Sequence, residues 1–261
     1  MSITQTTQLR TFEHNLVPQD INSDAATEYS FCPSCASYEL NLCAALRKSV
    51  ELDPGARPPI ASVHKVPARR TICHPSEWSD FVYVVCQGWA TSSLALPDGR
   101  RQILSFVLSG DMFSTTSLFE SISGRLVEAV TDVTYRGYKR SELQAYLYDH
   151  PNVLDTLTKI WIDEKKRSDQ LAVDLGRRTA DERIAGLILD LMDRMNKRGM
   201  TSDHTMEFPL RQHHIADATG LTPVHVNKVL SEFRRGGLIE ITNRSLKILN
   251  KSELNRVANM R

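Results

Sequence analysis

Two sets of residues in this chain have types and spacing suited to chemistry. The first is a bunch of cysteines: Cys32 and Cys35, in the run Cys32-Pro33-Ser34-Cys35, followed by Cys43. Thiolates are soft ligands for transition metals, so three within a dozen residues suggest metal binding more than a disulfide framework. Cys73 and Cys86 complete the set of five. They are candidates for a further ligand or, equally, small apolar residues of strand cores. A zinc site lacks a second C-x-x-C pair or a suitably spaced histidine pair. The second set is Thr222, Val224, His225, Asn227 and Lys228, with Arg234, Arg235 and Arg244 beyond it. An Asn amide can donate to and accept from an adenine edge, a Lys ammonium suits guanine acceptors or phosphate, and Val can touch a thymine methyl. That is nucleic-acid chemistry.

Such residues act only if a scaffold presents them. Gln212 to Ser231 reads QHHIADATGLTPVHVNKVLS. Small Ala216 allows close helix approach, Gly220 suits a left-handed helix stop, Thr222 an N-cap and Pro223 the first helical position. Val226, Val229 and Leu230 then fall on one face of the second helix. Cap, turn and buried positions agree on a helix-turn-helix whose outer face carries Val224, His225, Asn227 and Lys228. Gly236-Gly237 leads into Leu238–Ile241 and Leu246–Leu249, a hairpin with Arg244 at its tip, where a basic residue meets phosphate. Residues 208–251 hold seven basic side chains against three acidic ones, although the whole chain is only +1. The local excess points to an anionic partner at this end.

Upstream, the pattern predicts a polar N-terminal arm over residues 1–50, with a short helix from near Tyr38 that ends at Asp53-Pro54-Gly55. Short strands divided by turn residues over 51–150, including 81–86, 91–96, 102–108 and 128–138, predict an antiparallel β-roll. A proline-free helical stretch over 151–178 carries Leu154, Leu157, Trp161, Ser168, Leu171 and Leu175 on a narrow stripe, which predicts a dimer seam with a polar break at Ser168. Residues 179–261 form the predicted winged helix-turn-helix domain, opened by an amphipathic helix over 180–196. The fold class is α+β.

Composition narrows the function classes. The chain is 41% hydrophobic and 24% charged, as in globular proteins. Its longest apolar run, Phe81–Cys86, has six residues, against the ~20 needed to cross a bilayer. No secretory leader is evident, which predicts a cytoplasmic location with reduced thiols. An enzyme is not expected. A cupin-like metal site needs two closely spaced histidines and a carboxylate, whereas the roll offers only His64 and His74, and no nucleophile-elbow, phosphate-loop or dinucleotide glycine pattern occurs.

A β-roll, a long helix and a C-terminal winged helix-turn-helix, in that order, resemble the CRP/FNR family of transcription regulators over about residues 30–250. Ala180-Asp181-Glu182-Arg183, Gly88 and Gly110-Asp111 add to the resemblance. It implies a cyclic-nucleotide-binding-like roll, a homodimer, a palindromic double-stranded DNA site and RNA polymerase as partners of an activator. The cyclic-nucleotide sensors of the family use a Gly-Glu pair and a downstream Arg-Ser; the matching stretches here are Ser114-Thr115 and Arg125-Leu126. Only Arg125 remains, as a candidate anion ligand. Cys32, Cys35 and Cys43 resemble the N-terminal cysteines of FNR-type oxygen sensors, which implies a [4Fe–4S] cluster and an oxygen or redox signal, with Ser168 as the marginal point of the dimer. The family's fourth cysteine falls here on Thr134-Tyr135-Arg136, which leaves Cys73, Cys86 or a different ligand. A regulator without a cluster, answering another small molecule or acting constitutively, is the alternative.

Overall fold

The computed structural model describes residues 40–122 and 124–258. Cys32 and Cys35 lie outside the described residues. Helix α1 (Leu42–Leu52) opens where Asn41 accepts the Ala44 N–H at 2.8 Å, and it closes at Asp53. Asn41 is thus the capping residue of the helix, and Tyr38 lies outside the described residues.

The roll consists of two antiparallel sheets. One has the order β1 (Ala61–Val66), β7 (Val133–Lys139), β3 (Phe81–Gln87). The other runs β2 (Thr71–Cys73), β6 (Leu126–Ala129), β4 (Ala90–Ala95), β5 (Arg101–Val107). The strand expected over 128–138 is two strands in different sheets, broken at Val130-Thr131-Asp132. Gly88 explains that corner: its φ is +93°, and a Cβ there would lie 2.1 Å from the Asp132 carbonyl oxygen. Only glycine lets the two chain segments come this close.

Three buried clusters hold the unit. Val85, Val107, Phe113, Val127 and Tyr135 fill the space between the sheets. The other face of the β1-β7-β3 sheet is covered by Leu42, Cys43 and Leu46 of α1, together with α2 (Arg140–Asp149) and the first half of α3 (Pro151–Arg177). The third cluster is continuous across the presumed domain boundary: Trp89, Ile103, Phe106 and Leu108 of the roll pack with Ile184, Ile188, Leu191 and Met195 of α4 (Ala180–Lys197). The C-terminal part adds a short hairpin, β8 (Thr201–Ser202) and β9 (Thr205–Glu207), then α5 (Gln212–Thr219), α6 (Pro223–Arg235), β10 (Ile239–Thr242), β11 (Ser245–Ile248) and α7 (Lys251–Val257). The strands there pair in the order β10-β11-β9-β8. Among the described residues no helix is long and apolar enough to cross a membrane.

Candidate nucleic-acid interface

The helix-turn-helix is built as its local chemistry dictates. Ile215, Ala216 and Ala218 of α5 are buried against α6 and α4, and Gly220 ends α5 in the left-handed region at φ 67°, ψ 32°. The Leu221 N–H then bonds the Ala216 carbonyl at 3.1 Å. Thr222 caps α6 by accepting the His225 N–H at 3.2 Å, with Pro223 in the first turn. Val226, Val229, Leu230 and Phe233 bury one face of α6. The opposite face is exposed along its length: Val224 (81%), His225, Asn227 and Lys228, then Arg234 and Arg235 in the last turn. Arg244 is exposed at the tip of the β10–β11 hairpin, where Asn243 and Arg244 both adopt positive φ (48° and 62°). Seven of the eight residues assigned to DNA contact are thus exposed on α6 or at its cap, and the eighth, Arg244, is exposed on the hairpin that follows.

Two groups outside the assigned contact residues hold this surface in place. Arg183 of α4 donates to the carbonyls of Leu175 at 2.9 Å, Arg178 at 2.9 Å and Thr219 at 3.1 Å, which ties the end of α3, the hinge and the end of α5 together. A Cβ on Gly220 would meet Leu175 Cδ2 at 3.1 Å, so the long helix ends against the turn itself. From the roll, Arg101 Nε donates to Asp217 at 2.7 Å while its guanidinium also pairs with Glu128, and Gln102 Nε2 donates to the Ala218 carbonyl at 3.0 Å.

A second clamp joins roll and α4. Arg194 donates to Asp111 Oδ2 at 2.7 Å and to the Phe106 carbonyl at 2.6 Å, and Arg198 pairs with Asp111 Oδ1 and donates to the Ser109 carbonyl at 2.8 Å. Burial alone would raise the Asp111 carboxyl, but the two guanidiniums outweigh it and hold the group below its ordinary value. His214 lies on the inner side of α5 and accepts the Arg211 N–H on Nδ1 at 3.1 Å, which requires the neutral ring. Burial, then the charges of His213, Arg101 and Arg211, lower its pKa to about 4.

The dimer-seam residues assigned from spacing separate into two groups. Leu157 is buried (6%) in the cluster with α1 and belongs to the protomer's own core. Leu154, Trp161 and Ser168 are exposed, Leu171 and Leu175 half-buried. Ile162 and Val173 add exposed apolar surface to α3, and Trp161 lies 6.0 Å ring to ring from exposed Phe119 of the roll.

The sensing residues are placed as follows. Arg125 pairs with Glu164 of α3 at 3.2 Å, and Thr115 Oγ1 donates to the same carboxylate at 2.5 Å. Between the sheets, the rings of Tyr83, Phe113 and Tyr135 lie 5.1–5.5 Å apart and occupy the roll interior. Cys43 is 2% exposed, and its Sγ lies 3.3 Å from the Tyr138 hydroxyl. Cys86 is buried near Arg136, on the side of the sheet that faces α1. Cys73 packs instead with the cluster between the sheets, where burial and then Glu77 push its thiol up to about 12. The β1-β7-β3 sheet therefore separates Cys73 from Cys43. Among the described residues no three His, Cys, Asp or Glu side chains are grouped to hold a metal ion. As they stand, Cys43, Cys73 and Cys86 do not fit one cluster.

Comparison with known proteins agrees with this architecture. Residues 63–150 match the cyclic nucleotide-binding domain and residues 182–257 the Crp-like helix-turn-helix domain. The nitrogen fixation regulation protein FixK of Bradyrhizobium diazoefficiens is 30% identical over 179 residues, which span 67% of this chain and 73% of FixK. Transcriptional activator protein FnrL of Cereibacter sphaeroides is 29% identical over 182 residues, 67% of this chain and 71% of FnrL. The structure of FixK2 from Bradyrhizobium japonicum superposes with a TM-score of 0.69 at 29% identity, covering 76% of this chain and 97% of that one. The chain belongs to the CRP/FNR family of DNA-binding transcription regulators, a family of regulators rather than enzymes.

Proposed function

We propose that the protein is a homodimeric activator that reads a palindromic DNA site with α6 and recruits RNA polymerase. The observation that carries this reading is the exposed face of α6, where Val224, His225, Asn227 and Lys228 stand on a helix whose other face is fully packed. A helix presented this way fits the major groove, and Arg234, Arg235 and Arg244 at the edges suit phosphate. The exposed apolar residues of α3, Leu154, Trp161, Ile162 and Val173, supply surface for a second copy. Two-fold symmetry then sets half-sites about one helical turn apart. Selection from a randomised duplex pool, followed by sedimentation of the complex, tests it: one dimer on a symmetric site is expected, and a monomer on an asymmetric site contradicts it.

Within this function the roll acts without a cyclic nucleotide. Arg125 is engaged by the protein's own Glu164, and aromatic rings fill the space between the sheets. This supports a regulator that answers some other signal or acts constitutively. An oxygen or redox response through Cys32, Cys35 and Cys43 is the second reading, supported by their spacing alone. Iron and sulfide analysis with a visible spectrum on anaerobic protein decides it: stoichiometric iron and sulfide favour the cluster, and their absence with unchanged DNA binding in air rejects it.

A further inference from the structure

Gln212 opens α5 and reaches across the helix-turn-helix to α6, where its Nε2 donates to Asn227 Oδ1 at 3.0 Å. Both side chains are exposed. The two helices that carry them are fixed relative to one another by Ile215, Ala216 and Val226 in the core and by the Gly220 turn. The start of α6 is capped by Thr222. The pair therefore meets at a spacing that the scaffold sets.

An asparagine amide recognises adenine by using both ends at once: Oδ1 accepts from the exocyclic amine while Nδ2 donates to N7. In this protein Gln212 occupies one of the two acceptor positions of Oδ1 and keeps the carbonyl turned toward α5. We infer that Gln212 is a specificity-determining residue that acts through Asn227: it holds the carbonyl of Asn227 toward α5 and so presents the Nδ2 donors outward. Asn227 then selects an acceptor edge, guanine N7 and O6 above all, rather than adenine. A second consequence is entropic. A side chain already held in its reading conformation has less rotamer freedom to lose on binding. Gln212 touches no base in this account; it sets the polarity and direction of the residue that does.

The inference rests on Asn227 as a base reader, and the test keeps the two apart. Full-length protein is used to select sites from a randomised duplex pool, and base preference is compared for wild type, Gln212→Ala, Gln212→Glu and Asn227→Ala, with far-UV circular dichroism and melting as folding controls. Wild type is expected to take guanine at one position of each half-site. Gln212→Ala should release the Asn227 carbonyl, move that preference toward adenine, and lower affinity for the wild-type site by about three- to tenfold, with the salt dependence unchanged. Gln212→Glu, which can only accept, should turn the Asn227 carbonyl outward and shift the preference in the same direction. In the Asn227→Ala background, replacing Gln212 should have no further effect on base choice. Adenine selected by wild type at that position, an unchanged preference in Gln212→Ala, or a uniform weakening with a smaller salt slope, as for a phosphate contact, overturns the inference. If Asn227→Ala itself changes no base preference, base reading by Asn227 fails, and the inference fails with it for that separate reason.

Discussion

Arg125 of the roll and Glu164 of the long helix lie 3.2 Å apart, each with less than a quarter of its side chain exposed (22% and 24%). With Thr115 on the same carboxylate, the middle of α3 is tied to the roll by a charge pair internal to the protomer. Glu164→Gln should leave the Arg125 guanidinium poorly compensated and cost about 1–2 kcal/mol in urea unfolding. A companion Arg125→Gln change should recover part of that loss in a double-mutant cycle. Cyclic AMP at millimolar concentration should leave the melting temperature of wild type unchanged; a clear rise would show that the nucleotide binds the folded protein and contradict this reading.

Asp111 is the shared partner of two buried guanidiniums that bind α4 to the roll. Asp111→Asn removes the charge and leaves both arginines buried, so a loss of about 3–5 kcal/mol is expected. The pH dependence follows from the lowered carboxyl. The unfolded chain binds this proton more tightly than the folded one, so the contribution is complete above the ordinary carboxylate value of 3.8 and is lost as pH falls through the lower folded value. Asp111→Asn should flatten that acid limb; an unchanged limb would assign it to other carboxylates.

His214 acts in the same direction over a higher window of pH. Its pKa falls from 6.5 to about 4 on folding, so protons favour the unfolded state in that window, and stability should decline as pH drops from 6.5 toward 4. Partial exposure of the ring to solvent softens the slope. Replacing it by Gln, which can still accept the Arg211 N–H, should remove this limb while preserving the cap, as read by melting temperature against pH.

The long helix should separate stability from association. Leu157→Ala opens a cavity beside α1 and should cost about 2–5 kcal/mol in unfolding. Trp161→Ala, at a half-exposed position (52%), should change protomer unfolding little while weakening self-association in sedimentation equilibrium. Equal effects of the two on the dimer would contradict the assignment of Leu157 to the core.

These residues also show how far the chain could be read without coordinates. The helix-turn-helix was legible because its signals are local and mutually confirming: Gly220 stops one helix, and Thr222 and Pro223 start the next within three residues. Helix α2 is not legible because its apolar residues, Leu143, Tyr146 and Leu147, form no sustained stripe, and residues 128–138 look like one strand because Val130-Thr131-Asp132 holds neither glycine nor proline. The glycine that permits that corner, Gly88, lies more than forty residues upstream. Periodicity placed Leu157 on the same stripe as Trp161, but a stripe does not say which of its residues meets the protomer and which meets a partner. Arg194 and Arg198 are not legible as core residues, nor half-buried Arg183 as a tie between helices, because arginine on an amphipathic helix normally marks the solvent side. Their partners, Asp111 and the carbonyls of Leu175 and Thr219, are set by tertiary structure alone.

The claim on which the rest depends is that α6 reads bases while the wing and the helix end hold phosphate. The most direct measurement is the binding of Lys228→Ala and Arg244→Ala proteins to the selected duplex and its single-base variants over a range of salt. Lys228→Ala should cost about 1–3 kcal/mol at one base position and relax the preference there, whereas Arg244→Ala should weaken every sequence alike and reduce the salt slope by about one. Uniform weakening by both substitutions, with no base position relaxed, would contradict the account.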